Sequence, residues 1–544
     1  MNPATWILLA CLSLCSSVAS ALDSFPDERG AIQQLLETEG LSIDGTTVLG
    51  QSVVLQIYRD NYFKPYWTSA QNIGKLVDLI GHASDHGLNT ADYDLVRLRR
   101  IQRAKALNPD AGISAEEDIL LTESLLRYTY HRRYGKVKAS SMDPDINFRR
   151  EAFRNQPPGE TLHQMLDAPS LQGFIDAAAP SGPFYQGIQR GLNQYRRLAE
   201  TGGWPTVPVG PALREGGTDP RVIGLKQRLL VTGELPPNAD LFDPVFDEQL
   251  TSAVMKFQSR HALEADGVVG KQTLAAMSVP VETRINQLRA TLERLRWVNQ
   301  EASRTFVAVN IAGFTAFFFR DGEIIWSTRA MVGKNYRRTP IFRGDIQYME
   351  FNPTWTIPPT ILREDTLPAI KRDPNYLASK NIRVIDGNGK IVDPGTIDWG
   401  RYTSGVPYTL RQDPGPFNAL GTVKFIFPNK HAVFLHDTPY RELFDRPERA
   451  FSSGCIRIEH PLKLAELLLD DENYSEAVLQ SVVDSRRTQR INLATPVPVI
   501  ILYLTASLDK DGNMLFYRDI YNIDNKLLEA IDGPVIIELP VTSG

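Results

Sequence analysis

Two short segments of the chain hold residue types that can do covalent chemistry together. Ser452-Ser453-Gly454-Cys455-Ile456-Arg457 sets a cysteine beside a glycine, and His436-Asp437-Thr438-Pro439 sets an imidazole at the end of the apolar run Ala432 to Leu435. A glycine next to a cysteine lets the backbone turn sharply and approach a ligand. Such a turn can expose the sulfur and aim main-chain N–H groups at a reacting carbonyl oxygen. Covalent acyl transfer needs a nucleophile, a neighbouring base and donors for the developing oxyanion. Cys455 fits the first role and His436 the second. A thiol beside an imidazole ionises well below its free pKa of about 8.5, so the pair is expected to rest as thiolate and imidazolium near neutral pH. A cysteine met alone is ordinarily a small buried hydrophobe; the company of the two motifs turns the reading to chemistry.

The rest of the composition agrees with a catalytic thiol. Of three cysteines in 544 residues, Cys11 and Cys15 fall in an N-terminal apolar stretch, Trp6 to Leu14, that ends in Ala19-Ser20-Ala21. A short apolar run followed by an A-x-A pattern reads as a secretory signal cut after Ala21. Residues 1–21 are therefore assigned to a signal and the mature chain to the periplasm, with lipid attachment at Cys11 or Cys15 ranked second. Removal of the signal leaves Cys455 alone, without an intrachain disulfide partner and without the means to build a multi-cysteine metal site; no metal and no cofactor is expected. No later run is long and apolar enough for a membrane helix. A formal net charge of −5 argues against a sequence-independent nucleic-acid binder.

The elements that must position these residues form an α+β multidomain chain. Residues 22–203 read as a helical scaffold, with apolar residues recurring three and four apart in Ala31 to Leu36, Ile73 to Ile80 and Ile119 to Tyr130. A Pro/Gly-rich linker, 204–217, precedes a compact unit at 218–280. There Val222, Leu225 and Leu229, the run Ala253 to Gln258, and Asp266-Gly267 with Gly270 and Thr273 resemble the small three-helix peptidoglycan-binding module. A linker helix, Ile285 to Trp297 within 281–300, leads to residues 301–544. This last region reads as an antiparallel β domain, with strands at 305–311, 315–319, 323–328, 346–351, 423–427, 432–435 and 497–504. A stretch at about 358–416 interrupts the strands. An insertion of that length is often a lid.

Together these residues resemble the YkuD-type L,D-transpeptidase signature, His-x-Thr followed by Ser-x-Gly-Cys-(Ile/Val)-Arg. His436, Thr438, Ser452, Gly454, Cys455, Ile456 and Arg457 match it. Gly333-Lys334, Arg338-Thr339-Pro340, Phe351-Asn352-Pro353-Thr354-Trp355 and Asn418-Ala419-Leu420-Gly421 add support, and the domain order is similar to the large YcbB-like subgroup. The resemblance implies a mainly-β YkuD-like catalytic domain. It also implies peptidoglycan stem peptides and glycan strands as partners, and other cell-wall synthases as candidates. It implies that Cys455 attacks a tetrapeptide stem, D-alanine leaves, and a diaminopimelate side-chain amine resolves the thioester as a 3-3 cross-link. By the same resemblance His436 relays protons. The amides of Ser453, Gly454 and Cys455 serve the oxyanion, and a main-chain carbonyl at Asp437 orients the imidazole. Thr438 and Ser452 order the site, while Arg457, Trp355 and Asn418 meet substrate. Carbapenems are expected to acylate Cys455. Ser453 stands where many relatives have His, and Phe434 where some have Tyr, so neither of those side chains can act here.

Other functions compete. A hydrolase of the same bonds, an L,D-carboxypeptidase or endopeptidase, would differ only in what reaches the thioester. A papain-like peptidase places its Cys before its His, the reverse of the order here. A non-catalytic wall-binding scaffold would not need both Cys455 and His436. His431 and His460 are taken as incidental, and His82, His86, His131, His163 and His261 as surface or capping residues. Arg337 and Arg338 are read as a solvated charge pair and Trp355 as more often core than platform. Asp386-Gly387 lacks the carboxylate spacing of a calcium loop.

Overall fold

The computed structural model describes residues 28–150 and 158–535; the signal expected at 1–21, with Cys11 and Cys15, lies outside them. Among the described residues the chain divides into two compact units. One takes residues 28–137, 150, 158–182 and 529–535, and the other takes Lys138–Arg149 and Pro183–Leu528. No helix among the described residues is long and apolar enough to cross a membrane.

The first unit is helical because its apolar residues recur at helical spacing. Helices Glu28–Glu37, Gln51–Asp60, Ala70–Gly81 and Leu95–Leu107 surround Ala115–Tyr134. The central helix starts in a capping box, with the Ser114 hydroxyl and the Glu117 carboxylate each satisfying the other's backbone amide. It is buried on nearly all sides. Its buried Asp118 is kept satisfied by the Tyr66 and Trp67 amides, at 3.0 and 2.9 Å, and by the Tyr58 hydroxyl. His86 and His131 are buried too, against the surface roles expected of them. His131 Nδ1 bonds the Tyr93 hydroxyl at 2.9 Å, a pairing that sequence spacing cannot reveal.

The helical region does not run as one body to residue 203. Helix Pro183–Glu200 belongs to the second unit, where it packs on helix Val281–Val298 and on Ala506, Met514 and Phe516. Helices Arg221–Val231, Glu248–Arg260 and Lys271–Met277 make the small module around Val222, Leu225, Leu229, Val254 and Phe257. Gln258 explains the pattern read from its sequence. Its side chain bonds Asp266, the Val268 carbonyl, Thr273 and the Gly267 amide, which ties the turn to the second helix. His261 is buried there, stacked on Phe257.

The β region supplies the strands that carry the two motifs. They are β1 (Thr305–Asn310), β2 (Thr315–Arg320), β3 (Glu323–Gly333), β4 (Phe342–Phe351), β5 (Trp355–Thr356), β6 (Ile382–Ile385), β7 (Ile391–Val392), β8 (Thr409–Gln412), β9 (Val423–Ile426), β10 (Leu435–His436), β11 (Ala450–Ser452), β12 (Ile456–Ile458) and β13 (Gln489–Leu502). Nine of them form one sheet in the order β11-β3-β12-β10-β9-β4-β13-β1-β2, and a further β2–β3 pairing closes it on itself. The sheet is mixed rather than purely antiparallel, because β10–β12, β3–β11 and β1–β13 run parallel. Parallel neighbours need crossovers of a dozen or more residues, and the segment between β10 and β12 is such a crossover. The insertion has its own four-stranded sheet, β5-β8-β6-β7, and its own core around Leu377, Val384 and Leu410.

Candidate active site

Strand alternation brings the motif residues to one face. Leu435, Ile456, Ile458, Val423, Phe425, Met349 and Phe351 point into the core and are buried, so their neighbours along each strand point to the other face. That face carries Phe434, His436, Cys455 and Arg457. Lateral pairing then sets a row across five strands: Arg457 opposite His436, His436 opposite Lys424, Lys424 opposite Glu350, and Glu350 opposite Arg490. His436 thus sits between two cations.

The strand expected at 432–435 is shorter and later than the apolar run suggested. Ala432 lies in the left-handed region, at φ +53°. Asn429 holds a turn there, accepting from the His431 and Val433 amides and donating to the Phe427 and Val433 carbonyls. Pairing begins only at Leu435.

His436 is buried and its orientation is fixed. Nδ1 donates to the carbonyl of its neighbour Asp437 at 2.5 Å, which leaves Nε2 with the free lone pair. The Asp437 carboxylate is fixed in turn by the Thr422 amide and hydroxyl, at 2.8 and 2.7 Å, and by Arg441 at 3.3 Å. Gly421 makes this possible. Its φ is +63°, and a Cβ there would meet the Asp437 side chain at 2.5 Å, well inside van der Waals contact. Asn418 shapes the same turn, since its side chain bonds the Pro353 and Asp413 carbonyls and the Leu420 amide. It is buried, and its amide nitrogen and oxygen are both engaged by the turn. Thr438 is buried and accepts from the Tyr440 amide at 3.3 Å. Trp355 packs on the insertion's core.

The cysteine loop is held at every residue. Gly454 has φ +117°. The Ser452 hydroxyl donates to the Cys455 carbonyl at 2.5 Å and accepts from the Gly454 amide at 3.1 Å. Thr339 Oγ1 donates to the Gly454 carbonyl at 2.9 Å, and Tyr521, bonded to the Thr339 amide and the Gly333 carbonyl, backs it. Neither Thr339 nor Tyr521 carried a role when read from the sequence. Their contacts span more than a hundred positions, and no local pattern announces them.

The half-buried Cys455 donates its thiol to the Ala432 carbonyl at 3.8 Å, and among the described residues it makes no hydrogen bond to His436. Burial pushes the thiol up, partly offset by the Phe434 amide and the Arg457 charge. Burial, then the charge of Arg457, pushes His436 down to about 3, against the Asp437 and Leu420 carbonyls. These shifts run against the expected thiolate–imidazolium pair: desolvation disfavours each charged form, and Arg457 repels an imidazolium. The Arg457 side chain has no hydrogen bond or ion pair among the described residues, and its Nε is buried without a partner. An unpaired, partly buried guanidinium is costly unless an anion arrives.

Arg337 is not a solvated cation, in contrast to the reading from sequence. Its side chain is 13% exposed and bonds Ser453, Glu364 and Asp365. No cluster of three His, Cys, Asp or Glu side chains able to hold a metal occurs among the described residues.

Comparison with known proteins agrees with this architecture. Residues 304–499 match the L,D-transpeptidase catalytic domain (YkuD), 52–192 a scaffold domain, and 218–277 a putative peptidoglycan binding domain. A putative L,D-transpeptidase from Haemophilus influenzae is 36% identical over 271 residues, which cover 49% of this chain and 55% of that protein. The match thus spans about half the length of that curated relative. Solved structures with the same description include an L,D-transpeptidase from Stackebrandtia nassauensis, with 13% identity, 55% of this chain, 96% of that one and a TM-score of 0.20. Another is from Xylanimonas cellulosilytica, with 16% identity, 54% and 98% coverage and a TM-score of 0.17. The chain carries a YkuD-type L,D-transpeptidase catalytic domain together with a peptidoglycan-binding domain and a scaffold domain.

Proposed function

We propose that this protein is a peptidoglycan L,D-transpeptidase that forms 3-3 cross-links through an acyl-enzyme on Cys455. The observation that carries the reading is the shared sheet face of Cys455, His436 and an Arg457 that no acidic side chain pairs among the described residues. A substrate carboxylate would dock on Arg457 in bidentate fashion and relieve its part, second to burial, in lowering the His436 pKa. Rotation of Cys455 about χ1 brings the sulfur from Ala432 towards the imidazole, a tightening common when substrate fills a site. His436 Nε2 then takes the thiol proton as Sγ bonds the carbonyl carbon of the donor tetrapeptide. The Gly454 amide is already spent on Ser452, so the Ser453 and Cys455 amides are the candidates for the oxyanion. Collapse breaks the C–N bond, His436 returns the proton to the leaving D-alanine amine, and a thioester remains. A diaminopimelate side-chain amine attacks it, loses a proton to His436 and leaves with the acyl group as the thiol is restored.

Action outside the cytoplasm, in the periplasm, follows from this substrate, as do glycan strands and other cell-wall synthases as partners. The second reading, hydrolysis by the same thioester, differs only in the acceptor. Incubation with a purified disaccharide-tetrapeptide and mass analysis separates the two. Cross-linked dimer is expected, and tripeptide alone would replace transfer with hydrolysis.

A further inference from the structure

The three residues before the nucleophile are gripped by one loop, residues 334–339, that follows β3. The Lys334 amide donates to the Ser452 carbonyl at 3.1 Å, Arg337 Nη1 to the Ser453 hydroxyl at 2.8 Å, and Thr339 Oγ1 to the Gly454 carbonyl at 2.9 Å. The loop is folded tightly back on β3. A Cβ on Gly333 would lie 2.2 Å from the Arg337 carbonyl and 2.7 Å from the Thr339 amide, so only glycine fits there.

Two of the three grips come from the sheet and its loop alone. The middle one depends on a distant element. Arg337 Nη2 bonds Glu364 at 2.5 Å and Nη1 bonds Asp365 at 2.7 Å. Both acids stand on a π-helical turn, Leu362–Thr366, at the start of the insertion. Such turns are rare and frequent at functional sites. Neighbouring residues of an ordinary helix point about 100° apart, yet here both carboxylates reach one guanidinium. Arg363, on the same turn, takes the other oxygen of Glu364 at 2.7 Å.

We propose that Arg337 is a positioning residue for the nucleophile loop, seated by the Glu364–Asp365 turn, so that docking of the insertion sets the aim of Ser453 and of the amides beside it. The inference rests on the reading of Cys455 as nucleophile. It adds that the insertion's acidic turn is a structural part of the loop. Ser453 at the loop tip is exposed, and its hydroxyl has no other partner among the described residues.

The test uses the full chain with three variants, Arg337→Ala, Arg337→Lys and Glu364→Gln/Asp365→Asn, the last leaving the sheet untouched. Two rates are read: acylation of Cys455 by the tetrapeptide donor, and alkylation of Cys455 by iodoacetamide, which needs no aligned amides. Arg337→Ala is expected to lower kcat for acylation by about ten- to a hundredfold with little change in KM, the size that a small misplacement costs. The double variant should fall by about fivefold, and its alkylation should rise by about threefold as the loop loosens. Lysine should rescue only in part, because a point charge cannot reach three oxygens as a planar fork does. Wild-type acylation and alkylation rates in the double variant would overturn the proposal, even if Arg337→Ala fails to fold. A wild-type protein that is never acylated, yet whose alkylation still responds to the double variant, would instead overturn the functional reading and leave the clamp standing.

Discussion

The charge of Arg457 should be measurable on the imidazole it faces. Lateral partners on adjacent strands lie about 5 Å apart, and at an effective dielectric of about 20 two unit charges there interact by about 3 kcal/mol. Arg457 is only partly buried, and screening by water reduces that figure. Arg457→Gln should therefore raise the His436 pKa from about 3 by about one to two units. Lys424, the partner on the other side, is already compensated by Glu350 at 3.3 Å, so Lys424→Gln should move His436 less. Proton-detected NMR of protein labelled at histidine nitrogen gives both values directly, with His436→Gln assigning the resonance. The variant should also lose donor binding while its imidazole becomes the better base, so KM should rise far more than kcat falls. An unmoved His436 in Arg457→Gln, or a larger shift in Lys424→Gln, would refute the placement of an uncompensated cation beside the imidazole.

Two further outcomes follow from the same geometry. Gly421→Ala forces a side chain into the Asp437 carboxylate at a left-handed position, and should cost about 2–4 kcal/mol in urea unfolding together with a loss of acylation; unchanged stability would mean that the turn is not tightly packed. His436 has a folded pKa below its unfolded value of about 6.5, so its contribution to stability is complete above that pH and is lost as the pH falls towards about 3. His436→Gln should thus flatten the acid limb of the stability curve by an amount on the order of 4 kcal/mol, and parallel curves for the two proteins would contradict a buried neutral imidazole.

Much of the site was legible because its parts are local in sequence. The Ser452–Arg457 segment encodes its own turn, with glycine for the backbone and serine for the hydrogen bonds. Asp437 acts through the main chain next to His436. Gln258, Asp266 and Thr273 lie within one module and close one network. What sequence could not give is register. Arg457, His436, Lys424 and Glu350 face one another only because four strands pair at those residues, and nothing in the intervening chain fixes that. The forces on ionisation are hidden for a related reason: adjacency of a thiol and an imidazole suggests an ion pair, whereas burial and the Arg457 charge both push against the charged forms. Arg337 looked like a surface cation because its acids lie in the insertion. The helix at Pro183–Glu200 looked like the end of the scaffold because helical periodicity does not say which core a helix joins.

The central claim is that one sulfur, Cys455, carries the acyl group. Intact-mass analysis of the full chain, incubated with a tetrapeptide donor and separately with a carbapenem, tests it most directly. The wild type should gain one tripeptide or one drug adduct, located by peptide mapping to Ser452–Arg457, and Cys455→Ala should gain neither while its melting temperature stays near that of the wild type. An adduct on Cys455→Ala, or a wild type that turns over donor with no mass increase on that peptide, would contradict it.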